Sequence, residues 1–201
     1  MKIKILGNNH SVIDQYLAEI RDESVQKDPL RFRENMYRLG ELFAYEISKE
    51  LEFKISEITT PLGIAKVPVL KKQPVLATIL RAGLAMHNGL LKILDRAENC
   101  FISAYRKYSD EGQFEIEFEY MASPSLKDKI VVLSDPMLAS GKSMEIGYRA
   151  LFSKGEPSHV HLVAIIASQQ GVDYVLKNIQ ADNVTLWLGA IDEALTAKSY
   201  I

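Results

Sequence analysis

The amino-acid sequence predicts an α/β fold built on a mostly parallel, doubly wound sheet. Short apolar segments that suit strands alternate with segments of helical spacing along the chain, as in repeated strand–helix units. Residues 130–132 form a β-branched run that suits a strand covered on both faces. No Gly-x-Gly-x-x-Gly follows any predicted strand, which argues against a dinucleotide-binding fold.

The composition predicts one intracellular globular domain over residues 1–201. The 201 residues, 47% hydrophobic and 25% charged, suffice for one well-buried core. A formal net charge of −2 gives no electrostatic footprint for nucleic acid or an acidic membrane. The single cysteine, Cys100, cannot form an internal disulfide and fits a reducing cytoplasm. No run approaches the length of a membrane span and the N-terminus lacks a signal-peptide pattern, so we expect a cytoplasmic protein.

The N-terminal third predicts two helices and then an extended segment. Residues 11–21 carry apolar side chains at helical spacing. Pro29 opens a longer helix whose apolar positions recur at intervals of three and four up to Leu51. We expect residues 53–59 to be extended and residues 60–63 to form a turn.

The next predicted strand, residues 74–80, ends in Arg81, Ala82 and Gly83, and a helix over residues 84–94 follows. An arginine and a glycine at this place suit a loop that bends its backbone around an anion while the guanidinium binds it. The same tripeptide also fits a plain strand-to-helix turn with a solvated arginine, and the tripeptide alone does not separate the two.

A further short strand, residues 100–105, also ends in an arginine, Arg106. Residues 107–125 then alternate charged with aromatic and apolar side chains around Gly112. That alternation predicts a β-hairpin with Gly112 in its turn. A hairpin that projects beside a strand end suits a lid or an arm that contacts a partner.

The central stretch of the chain, residues 131–143, predicts a buried strand, a tight loop and the first turn of a helix. Asp135 stands just past the strand, where an open parallel sheet presents its ligand site. Residues 139–143 offer small side chains and consecutive N–H groups at a helix N-terminus, a combination that suits a phosphate. A P-loop is excluded because Pro136 stands where that motif needs glycine. An ordinary strand–turn–helix unit is the alternative.

The C-terminal part predicts a helix over residues 144–152, a strand over 159–166, a helix over 170–178 and a last strand over 184–188. His159 and His161 share one face of their strand, so a metal pair is conceivable. No third ligand stands nearby, and we therefore interpret both histidines as structural.

The residues quoted above resemble the phosphoribosyltransferases. Asp-Pro-Met-Leu-Ala-Ser-Gly-Lys-Ser at residues 135–143 is similar to the ribose-phosphate signature Asp-Pro-Met-Leu-Ala-Thr-Gly-Gly-Ser of uracil phosphoribosyltransferases. Arg-Ala-Gly-Leu at residues 81–84 resembles the family's pyrophosphate loop, and Arg106 matches its second phosphate-binding arginine. The resemblance implies a type I phosphoribosyltransferase core with a projecting β-hairpin arm and a small hood formed by the chain termini.

The resemblance also implies an activity, which is conversion of uracil and 5-phosphoribosyl 1-diphosphate to UMP and diphosphate in pyrimidine salvage. Mg²⁺ would be bound through the diphosphate of the substrate rather than by a protein metal site. The implied catalytic residues are Arg81, Arg106 and Asp135. The implied phosphoribosyl diphosphate site consists of Arg81, Ala82, Gly83, Arg106, Asp135, Pro136, Met137, Leu138, Ala139, Ser140, Gly141, Lys142 and Ser143.

Three positions in the loop bear on the base that is accepted. Relatives that act on 6-oxopurines carry an acidic residue where this chain has Ala139, which favours uracil. Lys142 departs from the uracil pattern and matches those purine relatives, whereas Ser140 keeps the hydroxyl of the usual threonine.

The C-terminus departs from the family most. Uracil phosphoribosyltransferases continue past Gly-Tyr-Ile into a segment whose backbone binds the uracil edge, whereas this sequence stops at Ile201, the first base-binding position. We expect that the tail is missing from this version of the chain. The alternative is a non-catalytic regulatory relative that binds phosphoribosyl diphosphate or a nucleotide. The family further implies a homodimer or larger homo-oligomer with the residue 107–125 hairpin in contact, and a nucleotide effector is possible.

Overall fold

The computed structural model describes residues 1–108 and 114–193, with backbone alone for residues 104–108 and 114–118. Helices and strands alternate along most of this length. In chain order the elements are β1 (Lys2–Ile5), α1 (Val12–Arg21), α2 (Pro29–Ser48), β2 (Phe53–Thr60), β3 (Gly63–Leu70), β4 (Val75–Leu80), α3 (Leu84–Ile93), β5 (Glu98–Tyr108), β6 (Phe114–Ala122), β7 (Ile130–Ser134), β8 (Met137–Leu138), α4 (Lys142–Leu151), β9 (His159–Ser168), α5 (Gln169–Asn178) and β10 (Val184–Asp192).

The central sheet has the strand order β1-β10-β9-β7-β4-β5-β6, and the short β8 pairs with β9 beside β7. Strand β6 runs antiparallel to β5, and the other neighbouring strands are parallel. The predicted mostly parallel sheet is thus confirmed. Strand β5 follows β4 on one side of it, whereas β7, β9 and β10 lie on its other side. The strand order therefore reverses between β4 and β7, which is where open α/β sheets bind their ligands.

Helices cover both faces of the sheet, as the prediction of a doubly wound fold requires. On one face α1, α2 and α3 pack on the strands through a core that includes Leu39, Phe43 and Trp187. On the other face α4 and α5 pack through a second core that includes Leu151 and Val175. Strands β7 and β9 are almost wholly buried between the two layers, which explains why their sequences are continuous apolar runs.

Local signals in the sequence account for the starts of the first two helices. Ser11 and Asp14 form a capping box, in which each side chain accepts a backbone N–H across the first turn of α1. Pro29 is the first residue of α2, and the Asp28 side chain accepts the N–H groups of Leu30 and Arg31. The predicted start of the long helix at Pro29 is confirmed.

Two antiparallel hairpins lie within the described residues. Strands β5 and β6 form the hairpin predicted over residues 107–125, and Gly112, which the sequence places in its turn, lies outside the described residues. Strands β2 and β3 form a separate two-stranded sheet, of which the sequence predicted only the first strand. Pro68 lies in β3 opposite Ile55; proline is tolerated there because each strand of a two-stranded sheet has a free edge.

The N-terminal segment lies along β10, and β1 pairs with the amino-terminal half of that strand. Strand β1 extends the sheet next to β10, and Leu17 of α1 packs closely on Gly189. Residues 194–201, the C-terminal part of the predicted hood, lie outside the described residues. Within the ranges described, none of the helices combines the length and apolar character needed to cross a membrane.

Candidate active site

Two loops meet at the reversal of strand order. Arg81, Ala82 and Gly83 follow β4, and Asp135 follows β7, which is the parallel neighbour of β4. Arg81 and Ala82 are exposed, Gly83 is buried and Asp135 is half-buried. The peptide bond between Leu80 and Arg81 is cis. The structure thus brings together, at one edge of the sheet, residues that are more than fifty positions apart in sequence.

Gly83 allows the first loop to fold back onto the end of β4. A Cβ atom at this position would lie 2.0 Å from Thr78 Oγ1 and 2.8 Å from the carbonyl oxygen of Ile79. The Gly83 N–H donates a hydrogen bond to that carbonyl at 3.1 Å. The requirement for glycine is therefore one of space, and the tight loop leaves the Arg81 side chain exposed above the crevice.

The second loop is more regular than the sequence predicts. The Asp135 N–H donates to the Val163 carbonyl at 3.0 Å, and the Pro136 carbonyl accepts the N–H groups of Ile165 and Ile166. Residues 137 and 138 then form β8 on β9. The loop predicted between the buried strand and the helix therefore contains a short strand, because the chain follows β9 and turns only after Leu138.

The turn itself presents the amino end of α4. Gly141 is the N-cap residue and has φ +80°, a left-handed conformation that favours glycine. Lys142 is exposed, and Ala139, Ser140 and Ser143 are half-buried. The first N–H groups of a helix have no acceptor within the helix, so this turn offers donors and the positive end of the helix dipole to an anion.

Helix α5 supports this turn from behind, a contact that the sequence did not predict. The buried Ser168 hydroxyl donates to the Ala139 carbonyl at 2.6 Å and accepts the Gly171 N–H at 2.9 Å. A Cβ at Gly171 would lie 2.4 Å from the same carbonyl. Ser168 before a helix is a recognisable N-cap signal, but its bond to Ala139 joins residues 29 positions apart.

A second contact from α5 reaches α4. The Tyr174 hydroxyl donates to Glu145 Oε2 at 2.6 Å, and Arg149 Nε donates to Glu145 Oε1 at 2.9 Å. The hydrogen bond from Tyr174, followed by that from Arg149, holds the pKa of Glu145 below its usual value. Glu145 therefore stays ionised and bound on the side of α4, and the end of the helix is left to face the crevice.

Cationic groups at the crevice have no carboxylate partner within the described residues. Neither Arg81 nor Lys142 forms an ion pair there. Arg81 also lines a cavity of about 500 Å³, whose other polar lining residues are Arg33, Glu34, Tyr37 and Asn88. These guanidinium and ammonium groups make the edge of the sheet suited to a polyanion.

Residues 7–201 match the family model described as uracil phosphoribosyltransferase. The chain belongs to the uracil phosphoribosyltransferase family. A relative named uracil phosphoribosyltransferase from Porphyromonas gingivalis is 50% identical over 201 residues, which cover 100% of this chain and 93% of the relative. One of the same name from Methanothermobacter thermautotrophicus is 32% identical over 203 residues, which cover 100% of this chain and 90% of the relative.

Solved structures agree with this assignment of the fold. The AQ2163 protein from Aquifex aeolicus superposes with a TM-score of 0.85 at 29% identity, over 99% of this chain and 91% of that one. A hypoxanthine phosphoribosyltransferase from Staphylococcus aureus superposes with a TM-score of 0.54 at 13% identity, over 81% of this chain and 76% of that one. The latter likeness shows the phosphoribosyltransferase fold alone.

The family resemblance assigns roles to Arg106 and Ile201, whose side chains lie outside the described residues. The backbone of Arg106 pairs with Ile116 in the β5–β6 hairpin, beyond the last β4–β5 pair, which joins Leu80 to Ser103. The backbone of Ile201 also lies outside the described residues. Their roles therefore stay predictions.

The histidine pair lies away from the crevice and is used internally. The rings of His159 and His161 lie 4.6 Å apart, which confirms that they share one face of β9. Trp187 Nε1 donates to His161 Nδ1 at 3.0 Å, and His159 Nε2 lies 3.0 Å from the Thr185 hydroxyl oxygen. Both histidines thus have hydrogen-bond partners on β10, in accord with the structural interpretation.

Proposed function

We propose that this chain transfers the phosphoribosyl group of 5-phosphoribosyl 1-diphosphate to uracil, giving UMP and diphosphate in pyrimidine salvage. The observation that supports the proposal is that the Arg81 loop and the amino end of α4 lie at the reversal of strand order, in a chain of the uracil phosphoribosyltransferase family. We further propose that residues 1–201 act as one phosphoribosyltransferase domain in the cytoplasm.

The 5′-phosphate of the substrate would bind at the amino end of α4. The N–H groups of Gly141, Lys142 and Ser143 lie at the positive end of the helix dipole, beside the small side chains of Ala139 and Ser140. Exposed Lys142 would add a positive charge beside the phosphate. Met137 and Leu138 would hold the loop in place through their pairing with β9.

The ribose and the leaving diphosphate would lie between the loops. Asp135 would accept hydrogen bonds from the ribose hydroxyls, because its half-buried carboxylate follows the strand next to the Arg81 loop. Arg81, with Arg106, would neutralise charge that develops on the diphosphate as the glycosidic bond breaks. The ribose carbon would pass through an oxocarbenium-like state, which needs charge stabilisation and no nucleophilic side chain.

The donor set fits Mg²⁺ that arrives with the diphosphate. Within the described ranges no group of three or more His, Cys, Asp or Glu side chains is placed to hold a metal ion. Mg²⁺ is commonly held by one or two carboxylates together with substrate phosphate oxygens, and Asp135 supplies a carboxylate at the crevice. When bound there, Mg²⁺ would neutralise charge on the leaving group.

We propose a homo-oligomer with the β2–β3 hairpin as a contact. Apolar side chains on this hairpin, including Ile55, Leu62 and Ile64, are largely exposed. Exposed apolar groups that lie together are typical of interaction surfaces. The sequence favoured the other hairpin, residues 107–125, whose side chains are described only from residue 119 onwards.

The test is formation of UMP from uracil and phosphoribosyl diphosphate with Mg²⁺, with hypoxanthine and orotate assayed in parallel. We expect turnover of uracil alone, and sharp loss of turnover in Arg81→Ala and Arg106→Ala. An Arg96→Ala variant, at an exposed position after α3, serves as the control. Tight binding of phosphoribosyl diphosphate without turnover of any base would instead support the regulatory alternative.

A further inference from the structure

A pair of buried hydroxyl groups joins the ends of the two strands that carry the loops. Thr78 of β4 and Ser134 of β7 are both 0% exposed and are register partners, the last pair between these strands. The Thr78 hydroxyl donates to the Ser134 carbonyl at 3.3 Å, and the Ser134 hydroxyl lies 3.1 Å from Thr78 Oγ1 and 3.2 Å from the Ala77 carbonyl. Side chain therefore meets side chain across the point where the strand order reverses.

Each member of the pair also contacts one of the loops. Thr78 Oγ1 lies against Gly83, so closely that a Cβ there would be 2.0 Å away. Ser134 directly precedes Asp135 along the chain. Gly83 of the Arg81 loop is thus linked to Asp135 by a close contact with Thr78, a hydrogen bond from Thr78 to Ser134 and the peptide bond from Ser134 to Asp135.

Stability alone does not account for two hydroxyls at this position. The residues around them in β4 and β7, such as Ile79, Val132 and Leu133, are buried apolar side chains. Burial of a hydroxyl costs free energy that its hydrogen bonds only partly return, so apolar side chains would serve packing equally well. A hydroxyl pair differs in having directional bonds, which fix the lateral offset of the two strand ends.

We propose that Thr78 and Ser134 are positioning residues that set the Arg81–Gly83 loop against Asp135 for the reacting phosphoribosyl diphosphate. They act through Gly83 and Asp135 and do not touch the substrate. This inference rests on the proposed function. Small displacements at a reacting centre cost turnover steeply, so loss of the pair should lower kcat more than it alters the affinity for uracil.

The test compares Thr78→Val, Ser134→Ala, the double variant and Thr78→Ser. We expect each single removal of a hydroxyl to lower kcat by on the order of 10- to 100-fold, with the KM for uracil within about twofold of the original. The double variant should fall no further than the worse single variant, because both remove the same coupling. Thr78→Ser keeps the hydroxyl and should retain most of the turnover.

Thr185→Val is the matched control. It removes another buried hydroxyl, which bonds His159 on the neighbouring strand β9 away from the crevice, and should leave kcat unchanged. Equal losses in Thr185→Val, additive losses in the double variant, or a Thr78→Ser variant as slow as Thr78→Val would overturn the proposal.

Calorimetric titration measures how the Thr78–Ser134 pair affects the affinity for magnesium phosphoribosyl diphosphate, with no base present. If the unaltered chain binds this ligand and turns over no base, the proposed function fails, whereas weaker binding in Thr78→Val would still support positioning.

Discussion

Two polar clusters in the same sheet differ in where their hydrogen-bonding groups point. In the histidine cluster on β9 and β10, one ring nitrogen of His159 is hydrogen-bonded to Thr185 and one ring nitrogen of His161 accepts a hydrogen bond from Trp187. At the reversal of strand order, Arg81 and Lys142 are exposed and have no ion-pair partner within the described residues. Polar groups that are satisfied internally stabilise the fold, whereas those that remain available at strand ends are suited to a ligand.

Substitutions at the crevice should lower activity, whereas substitutions in the histidine cluster should change stability. The largest expected effect is on activity. Asp135→Asn should lower kcat by about 10²- to 10³-fold, the usual range for loss of one electrostatic contact to a transition state. The thermal midpoint should change little because Asp135 is half-buried at the edge of the sheet. Steady-state UMP formation and a melting curve measure the two effects. Asp182→Asn, at an exposed residue before β10, is the control, and normal turnover by Asp135→Asn would refute the assignment.

The histidine cluster should show the opposite behaviour. Burial, followed by the neighbouring charge of His159, lowers the pKa of His161 to about 4 from 6.5. Because the folded state holds this imidazole neutral, its contribution is fully present above pH 6.5 and is lost as the pH falls toward 4. The loss should be on the order of 2 to 3 kcal/mol in the free energy of unfolding.

Denaturant titrations at several pH values test this expectation. His161→Asn keeps an acceptor for Trp187 and should flatten the pH dependence between 6.5 and 4 while leaving kcat at neutral pH unchanged. His10→Asn changes a fully exposed histidine, which contacts the surface carboxylate of Asp14, and should keep the fall in stability between pH 6.5 and 4. A His161→Asn profile that matches the original would show that this burial does not govern acid stability.

Alanine substitutions at two glycines distinguish the effect of backbone strain from the effect of a role in the site. Gly141 and Gly63 both have positive φ, but a Cβ at Gly141 would lie 2.9 Å from Tyr174 Cδ1 and from the Gly171 carbonyl, whereas Gly63 has open space. Alanine at Gly63 should cost about 1 to 2 kcal/mol of stability from strain, and alanine at Gly141 should cost more because its Cβ also meets the Gly171 carbonyl oxygen. Only Gly141→Ala should also raise the KM for phosphoribosyl diphosphate. An unchanged KM in Gly141→Ala would argue against a phosphate at this turn.

The smallest effect on stability and on KM is expected for Tyr174 of α5, which lies behind the turn at Gly141. Tyr174→Phe removes the hydroxyl that bonds Glu145 Oε2 at 2.6 Å, and Glu145 keeps its bond from Arg149. We expect a loss of about 0.5 to 1.5 kcal/mol in stability, the usual net value of one hydrogen bond, with a KM change of less than about threefold by the same reasoning. A larger rise in KM would mean that α5 controls the shape of the turn.

Local patterns in the sequence were enough for most of the fold. The buried strands at β4, β7 and β9 are continuous apolar runs, and Ser11 and Pro29 mark helix starts, so one stretch of chain carries each signal. Strand β3 was missed because Pro68 and its exposed side chains hide the strand pattern in a hairpin that has no buried face.

Contacts between distant residues account for what the sequence could not predict at the site. The bond from Ser168 to Ala139 and the pairing of Met137 with Ile166 depend on how β9 and α5 lie against the loop. The Thr78–Ser134 pair joins residues 56 positions apart. Hydroxyl residues in apolar strands are common, and only the register between β4 and β7 brings these two together.

A crystal structure with phosphoribosyl diphosphate and Mg²⁺ tests the central claim most directly. We expect the 5′-phosphate to lie within hydrogen-bond distance of the Gly141, Lys142 and Ser143 N–H groups. We also expect the ribose hydroxyls at Asp135 and the diphosphate at Arg81. A ligand bound elsewhere, for example only in the cavity between Arg33 and Asn88, would contradict this claim.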